Sequence, residues 1–443
     1  MKLSDYIVTF LQKKGIRHFF GYQGTMIAHL VDSIERNPET ENHSGYNEQG
    51  AAFAACGYAQ AKEECACAYA TSGPGAINLL SGVADAYYDS LPVIFLTGQL
   101  NTYEYSGIKG LRQQGFQETD MVAMAKPITK YAVQIRKPED IVEELNKAYH
   151  IATTGRRGPV LIDLPMNIQR SEVENPVYDM TFEDKHTDTD AAQQAADTIL
   201  EALEQAKRPV IMLGHGVDSS FSQQKLIRFA QKRQIPIITS VLAKSVLGYD
   251  HPLNFGCIGG AYGHRYANMI ANAKSDLLLC FGISLCTRQI GTKVHEFARG
   301  AKIIRIDIDP YNLQRDIHEN GINEVKLQAE TGAVIDCLAK AAAPDTEGIS
   351  DWLNICTEIK ENLQAVDDAT PERYPNRMIA DLSDMLEDTS AIAVDVGQHM
   401  VWSYQSFKNH EGQKLLFSGG HGAMGYGLPA AIGAYYATGK PTA

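Results

Sequence analysis

At 443 residues the chain is long enough for about two to four domains with substantial cores. Its 44% hydrophobic and 21% charged residues fit an ordinary globular protein, and a net charge of −13 without a basic run argues against nucleic-acid binding. No apolar run reaches the length of a membrane span, and the N-terminus lacks the apolar core and cleavage site of a signal peptide.

"MKLSDYIVTFLQKKG" alternates as an amphipathic helix, and "RHFFG" follows it as a strand. "GYNEQGAAFAACGYAQA" (45–61) then holds a single acid, Glu48, ahead of a helix with almost no polar face. A helix apolar all round is buried. An acid in a first helical turn often does no more than complement the unpaired N–H groups there. On a buried helix, however, a carboxylate loses hydration, its pKa rises unless it is paired, and it becomes a proton-transfer device. These residues leave both readings open.

"CACAYAT", "LPVIFLTG", "ITKYAVQI" and "PVLIDLP" read as further strands, with a Gly-Pro-Gly turn at 73–75 between a strand and a helix. The polar stretch from Ser171 to Asp190 reads as a linker. Beyond it, "RPVIMLG", "IPIITS", "SDLLLCFG" and "AKIIRIDID" read as strands of a second region, bounded near 341–351. A third region has a helix after Asn376, strands "AIAVDVG" and "KLLFS", and the Gly-rich "GGHGAMGYGLPAAIGAYYAT". Short apolar runs alternating with helices predict α/β domains with parallel sheets. Three are expected, at residues 1–172, 190–342 and 370–443, the last expected to be incomplete and the chain therefore truncated within it. The eight cysteines sit mostly in apolar runs without a CxxC pair. They read as core thiols of a reducing cytoplasm, not as a metal cluster.

Taken in order, Glu48 in "NEQGAAFAACGYA", "TSGPGAINL", "DAYYDSLPVIFLTGQ", "GFQETD", "KPITK", "GPVLIDLP", "IDIDP", "DVGQHMVW" and "SGGHGAMGYGLPAAIGA" resemble the thiamine diphosphate enzymes of acetolactate synthase type. The resemblance covers nearly the whole chain. It implies pyrimidine-binding, central Rossmann-like and diphosphate-binding domains, and a homodimer or homotetramer with the cofactor between the first domain of one subunit and the third of another. It gives Glu48 a role: protonating the aminopyrimidine ring so that the exocyclic nitrogen can take the thiazolium C2 proton. That carbon attacks a 2-keto acid, with pyruvate expected, and after loss of carbon dioxide the retained fragment joins a second carbonyl.

The resemblance also implies that Phe116 and Gln117 face the substrate and that Pro74 and Asn78 lie in the pyrimidine-side loop. Gly422 would receive the exocyclic amine on its carbonyl, and Met424 would prop the cofactor in a bent shape. Gly397, Gln398 and His399 would contact the diphosphate. Without the family, a Met in a Gly-rich turn reads as packing and a His at a helix start as surface.

Departures from the family pattern carry their own expectations. The family holds Mg²⁺ with a Gly-Asp-Gly and a later Asn, whereas residues 425–443 contain no Asp, Glu or Asn. This chain is therefore expected to lack metal ligands and activity. Ser284 stands where an acceptor-binding Arg is expected, with Arg288 nearby, and Met166 where a Lys is expected. A neutral aldehyde or keto-sugar acceptor is the alternative to a second keto acid, as is simple decarboxylation. From a different class comes a catalytically silent chain that only binds a partner. Arg156, Asp307, "GHGVDSS" (214–220) and "YGHRYAN" keep parts of an FAD pattern that Tyr262 and "SVLAKS" break. FAD and an empty or ADP-like central domain both stay open.

Overall fold

The alternating N-terminus folds as helix α1 (Leu3–Lys13), which turns Leu3, Ile7, Phe10 and Leu11 inward and leads into strand β1 (His18–Gly21). The computed structural model describes residues 1–443 except 107, 109, 184–188, 218 and 342–346. The chain forms two units: Met1–Glu183 with Ala391–Val396 and Leu416–Ala443, and Asp184–Ser390 with Gly397–Leu415.

The first unit adds β2 (Glu41–Ser44), β3 (Ala66–Ala70), β4 (Val93–Gln99), β5 (Tyr131–Gln134) and β6 (Val160–Pro165). All six pair in parallel in the order β2-β1-β3-β4-β6-β5. Strands β3, β4 and β6 are buried throughout, which is why each reads as an unbroken apolar run. The edge strand β2, "ENHS", has no such run and went unread. Helices α2 (Ala28–Arg36), α3 (Glu48–Lys62), α4 (Pro74–Asn78) and α5 (Leu80–Tyr88) complete the first half of this unit.

Helix α3 is buried as expected, from Ala51 through Ala59 and at Ala61. It packs on the Gly427–Thr438 helix so closely that backbones touch. A Cβ at Gly57 would stand 2.3 Å from the Ala430 carbonyl oxygen, and one at Gly433 would stand 1.9 Å from that of Ala54. Only hydrogen fits at either crossing.

The second unit holds β7 (Pro209–Leu213), β8 (Ile237–Thr239), β9 (Asn254–Cys257), β10 (Leu277–Phe281), β11 (Lys302–Asp307) and β12 (Glu324–Gln328). Their parallel order is β12-β11-β10-β7-β8-β9. That is the doubly wound 3-2-1-4-5-6 pattern, reversing between β7 and β10. The edge strands β9 and β12 lay outside the strands read from sequence. Two short strands, β13 (Ala391–Val394) and β14 (Lys414–Phe417), make a small third sheet.

The segment read as a linker is bound to the first unit as far as Glu183. Leu3 N–H donates to Ser171 O at 2.7 Å, Val173 N–H to Met1 O at 2.8 Å, and the Tyr6 hydroxyl to Val177 O at 2.5 Å. Residues 184–188 of that stretch, 342–346 of the second boundary and Asp218 of "GHGVDSS" lie outside the described residues. The elements of the third region divide between the units. The Pro375–Met385 and Gln398–Ser406 helices belong to the second, and β13 and the Gly427–Thr438 helix to the first.

Candidate active site

In the first sheet the strand order reverses between β1 and β3, so the loops leaving their carboxyl ends open a crevice there. Glu48 stands at this edge as the first residue of α3. Asn47 caps the helix, its Oδ1 accepting from Gly50 N–H at 3.2 Å. Asn78, at the end of α4, donates its Nδ2–H to Glu48 Oε2 at 3.0 Å. The other oxygen, Oε1, lies 3.0 Å from where a Cβ at Gly75 would be, so the Gly-Pro-Gly turn leaves that oxygen its space. Pro74 opens α4 at its first position. Glu48 is half-buried: the fully buried part of α3 begins three residues later.

The same turn fixes Gln117. Gly73 has φ +62°, and its missing Cβ would lie 2.8 Å from Gln117 Cβ. Gln117 itself has φ +65°. A non-glycine residue in the left-handed region marks a position held by its surroundings. Its neighbour Phe116 is 79% exposed, which excludes the core role a Phe would ordinarily take. Ser72, buried beside this turn, has an Oγ without a hydrogen-bond partner.

The Gly-rich turn before the last helix is organised by acids that sequence reading passed over. Asp395 accepts from Gly425 N–H at 2.9 Å and from Gly427 N–H at 3.0 Å. Asp89 accepts from Gly419 N–H at 2.8 Å and Gly420 N–H at 2.6 Å, while the Ser418 hydroxyl donates to Asp85. Burial pushes the Asp85 carboxyl up to about 7, and burial together with the charge of Asp85 pushes Asp89 well above the usual carboxylate range. Two acids four residues apart on an apolar helix, "DAYYD", were the available signal. Gly422 has φ +70°, and Met424 is 79% exposed, so it is not a packing residue.

Three stretches of the chain also match known domains. Residues 1–124 match the N-terminal TPP binding domain of thiamine pyrophosphate enzymes, 196–338 their central domain and 395–443 their C-terminal TPP binding domain. The chain is 36% identical to the probable acetolactate synthase large subunit of Methanocaldococcus jannaschii, across 100% of this chain and 74% of that protein. Identity is 32% with the acetolactate synthase large subunit of Lactococcus lactis, across 97% and 73%. It is 34% with the probable chloroplastic acetolactate synthase 2 of Oryza sativa, across 98% and 65%. The chain belongs to the acetolactate synthase family of thiamine pyrophosphate enzymes.

Within that family frame, the first unit contains Glu48, Pro74, Asn78, Phe116, Gln117, Gly422 and Met424, along with the helix that follows the Gly-rich turn, and of these Glu48 and Asn78 are joined by a hydrogen bond. The resemblance implies a cofactor between the first domain of one subunit and the third of another; within this chain, α3 and the Gly427–Thr438 helix pack on each other. Gly397, Gln398 and His399 belong to the second unit, all exposed at the start of the Gln398–Ser406 helix. Of the flavin-side residues, Arg156 is in the first unit and its Nε–H donates to Ser90 Oγ at 3.0 Å. Asp307 ends β11 in the second, accepting from Asp309 N–H at 2.9 Å and Asn312 Nδ2–H at 2.6 Å. The residues present fit the pyrimidine half of thiamine diphosphate. The half-buried Glu48 carboxyl beside the Gly-Pro-Gly turn, the unpartnered Ser72 hydroxyl next to that turn and the exposed Met424 are the observations behind that fit.

Proposed function

We propose that this chain decarboxylates a 2-keto acid, with pyruvate as donor, and ligates the retained fragment to a second carbonyl in a thiamine diphosphate-dependent reaction. The observation that carries this reading is Glu48, set at the switch point of a parallel sheet, held by Asn78 at Oε2 and with Oε1 in the space left by the missing side chain of Gly75. When bound, the cofactor supplies an acidic carbon and an electron sink for the departing carbon dioxide. Glu48 moves a proton at its free carboxyl oxygen, and Asn78 fixes that carboxyl's orientation. By the family resemblance, Gly422 would offer its carbonyl to the ring amine, Met424 would support the bent cofactor, and Phe116 and Gln117 would line the donor side. Gln398 and His399, at a helix N-terminus where N–H groups favour anions, would be the diphosphate contacts. Mg²⁺ accompanies the diphosphate, but residues 425–443 offer no carboxylate or Asn, and none of them is assigned to the ion.

Ser284 and Met166 at acceptor-side positions favour a second reading, in which the acceptor is a neutral aldehyde or keto-sugar. Arg288 does not substitute for the missing cation freely, because its guanidinium lies over the Tyr262 ring at 5.3 Å. The doubly wound order of the second unit supports a dinucleotide there, FAD in this family, and a flavin absorption spectrum of purified protein tests it. Exposed Ile77, Tyr87 and Tyr88, with Leu428, Ile432 and Tyr435, support a homodimer or homotetramer. Eight cysteines without a disulfide support a reducing compartment, the cytoplasm. Among the described residues no helix is long and apolar enough to cross a membrane.

The deciding experiment is product analysis with pyruvate, thiamine diphosphate and Mg²⁺, with and without an added aldehyde. Acetolactate from pyruvate alone supports the leading reading. Pyruvate lost without acetolactate, or coupled only to the aldehyde, replaces it by the second; pyruvate left untouched overturns both and leaves the silent chain expected from the missing metal ligands.

A further inference from the structure

We propose that His18, Glu41 and His43 form a binding site for a divalent transition-metal ion on the β1–β2 edge of the first unit. Parallel pairing sets His18 beside Glu41 and Phe20 beside His43. Alternation then puts all three polar side chains on one face of the sheet. Their ligand atoms lie within 4.8 Å of one another, the one such trio of His, Cys, Asp or Glu among the described residues.

His18 Nδ1 and His43 Nε2 face each other at 2.9 Å, with Glu41 Oε2 3.8 Å from the first and 3.9 Å from the second. An ion about 2.0–2.1 Å from both nitrogens subtends an N–metal–N angle of about 90°, and a small rotation of Glu41 brings its oxygen into range. Two imidazoles with one carboxylate suit Zn²⁺, Ni²⁺ or Cu²⁺ rather than Mg²⁺ or Ca²⁺. Tyr436 stacks on His43 with ring centroids 3.7 Å apart, which holds the imidazole plane. Glu41 is 65% exposed, so further positions on the ion open to water. Lys62 and Arg17 oppose a cation near His18, and Glu41 supplies the countercharge.

The trio lies apart from the catalytic edge: His18 and Glu41 open their strands, whereas Glu48 follows the carboxyl end of β2. An ion there would staple a short, polar edge strand to its neighbour and stabilise the fold by mass action.

Chelator-stripped protein is titrated with Zn²⁺ in equilibrium dialysis, and with Cu²⁺ for electron paramagnetic resonance. The site predicts one saturable equivalent, a Cu²⁺ spectrum with two nitrogen ligands, and a melting temperature that rises with Zn²⁺. His43→Gln and Glu41→Gln should each weaken binding at least about tenfold and remove the thermal shift. Because Glu41 is exposed, its variant keeps the fold and keeps the test decisive. Absence of a saturable equivalent, or variants that bind like the parent, overturns the proposal.

Discussion

In the first unit the strand order reverses between β1 and β3, and the surrounding loops present Glu48, Asn78 and a Gln117 held at positive φ. In the second it reverses between β7 and β10, and there the loops interlock through glycine. A Cβ at Gly214 would stand 2.0 Å from Gly282 O, and Asp307 is engaged by Asp309 and Asn312. Two parallel sheets thus offer the same kind of crevice; among the described residues, the first sets the Glu48 carboxyl beside it, whereas the Asp307 carboxyl of the second is engaged by Asp309 and Asn312. Topology supplies a place for a ligand; the few side chains on its loops decide whether that place does proton chemistry.

The most severe way to break this contrast is Glu48→Gln. Turnover should fall on the order of 10²–10⁴-fold with the melting temperature nearly unchanged. A variant at parental rate would remove Glu48 from the chemistry. Next, Gly57→Leu forces a side chain into the Ala430 backbone and should cost roughly 3 kcal/mol or more, read from the denaturant midpoint. If it unfolds no more easily than the parent, the helix pair is not packed as described.

Gly214→Ala asks the same question of the second crevice. A loss of about 1–3 kcal/mol in the stability of that unit, without an effect on Glu48-dependent proton transfer, sharpens the division of labour.

Asp85→Asn probes the acids beneath the Gly-rich turn. Asp85 and Asp89 both have raised pKa values, so the folded state keeps protons that the unfolded chain releases. Their contribution to stability is full below about pH 4 and is lost as pH rises through about 7. The variant should therefore show a shallower fall in melting temperature between pH 5 and 8; an unaltered slope would detach Asp85 from that pH response. The smallest thermal effect is expected for Met424→Ala. Its exposure limits the stability change to about 0.5 kcal/mol, while thiamine diphosphate affinity should weaken. A large drop in melting temperature would return Met424 to a packing role.

Central strands were legible, whereas of the four edge strands of the two large sheets only β5, within "ITKYAVQI", was. β3, β4, β6, β7, β8, β10 and β11 announce themselves as apolar runs because both faces are covered. β2 and β12 are polar or half-buried, and β9 is four residues long, so neither composition nor period marks them. Glu48 stood out as one acid on an apolar helix, but its residues alone left two readings open and only the family resemblance gave it a role. Asp85, Asp89 and Asp395 were not, since their partners are a hydroxyl and backbone N–H groups 30 to 333 residues away in the chain.

The linear order of residues by itself determined the parallel α/β architecture, the burial of α3 and the family, because burial on two faces and glycine-rich turns leave local signatures. Tertiary structure alone decided which elements share a unit, and how Asn78 and Gly75 divide the two oxygens of Glu48. It also decided that His18 meets His43. Those facts depend on strand register and on contacts between distant segments, which no local pattern of residues encodes.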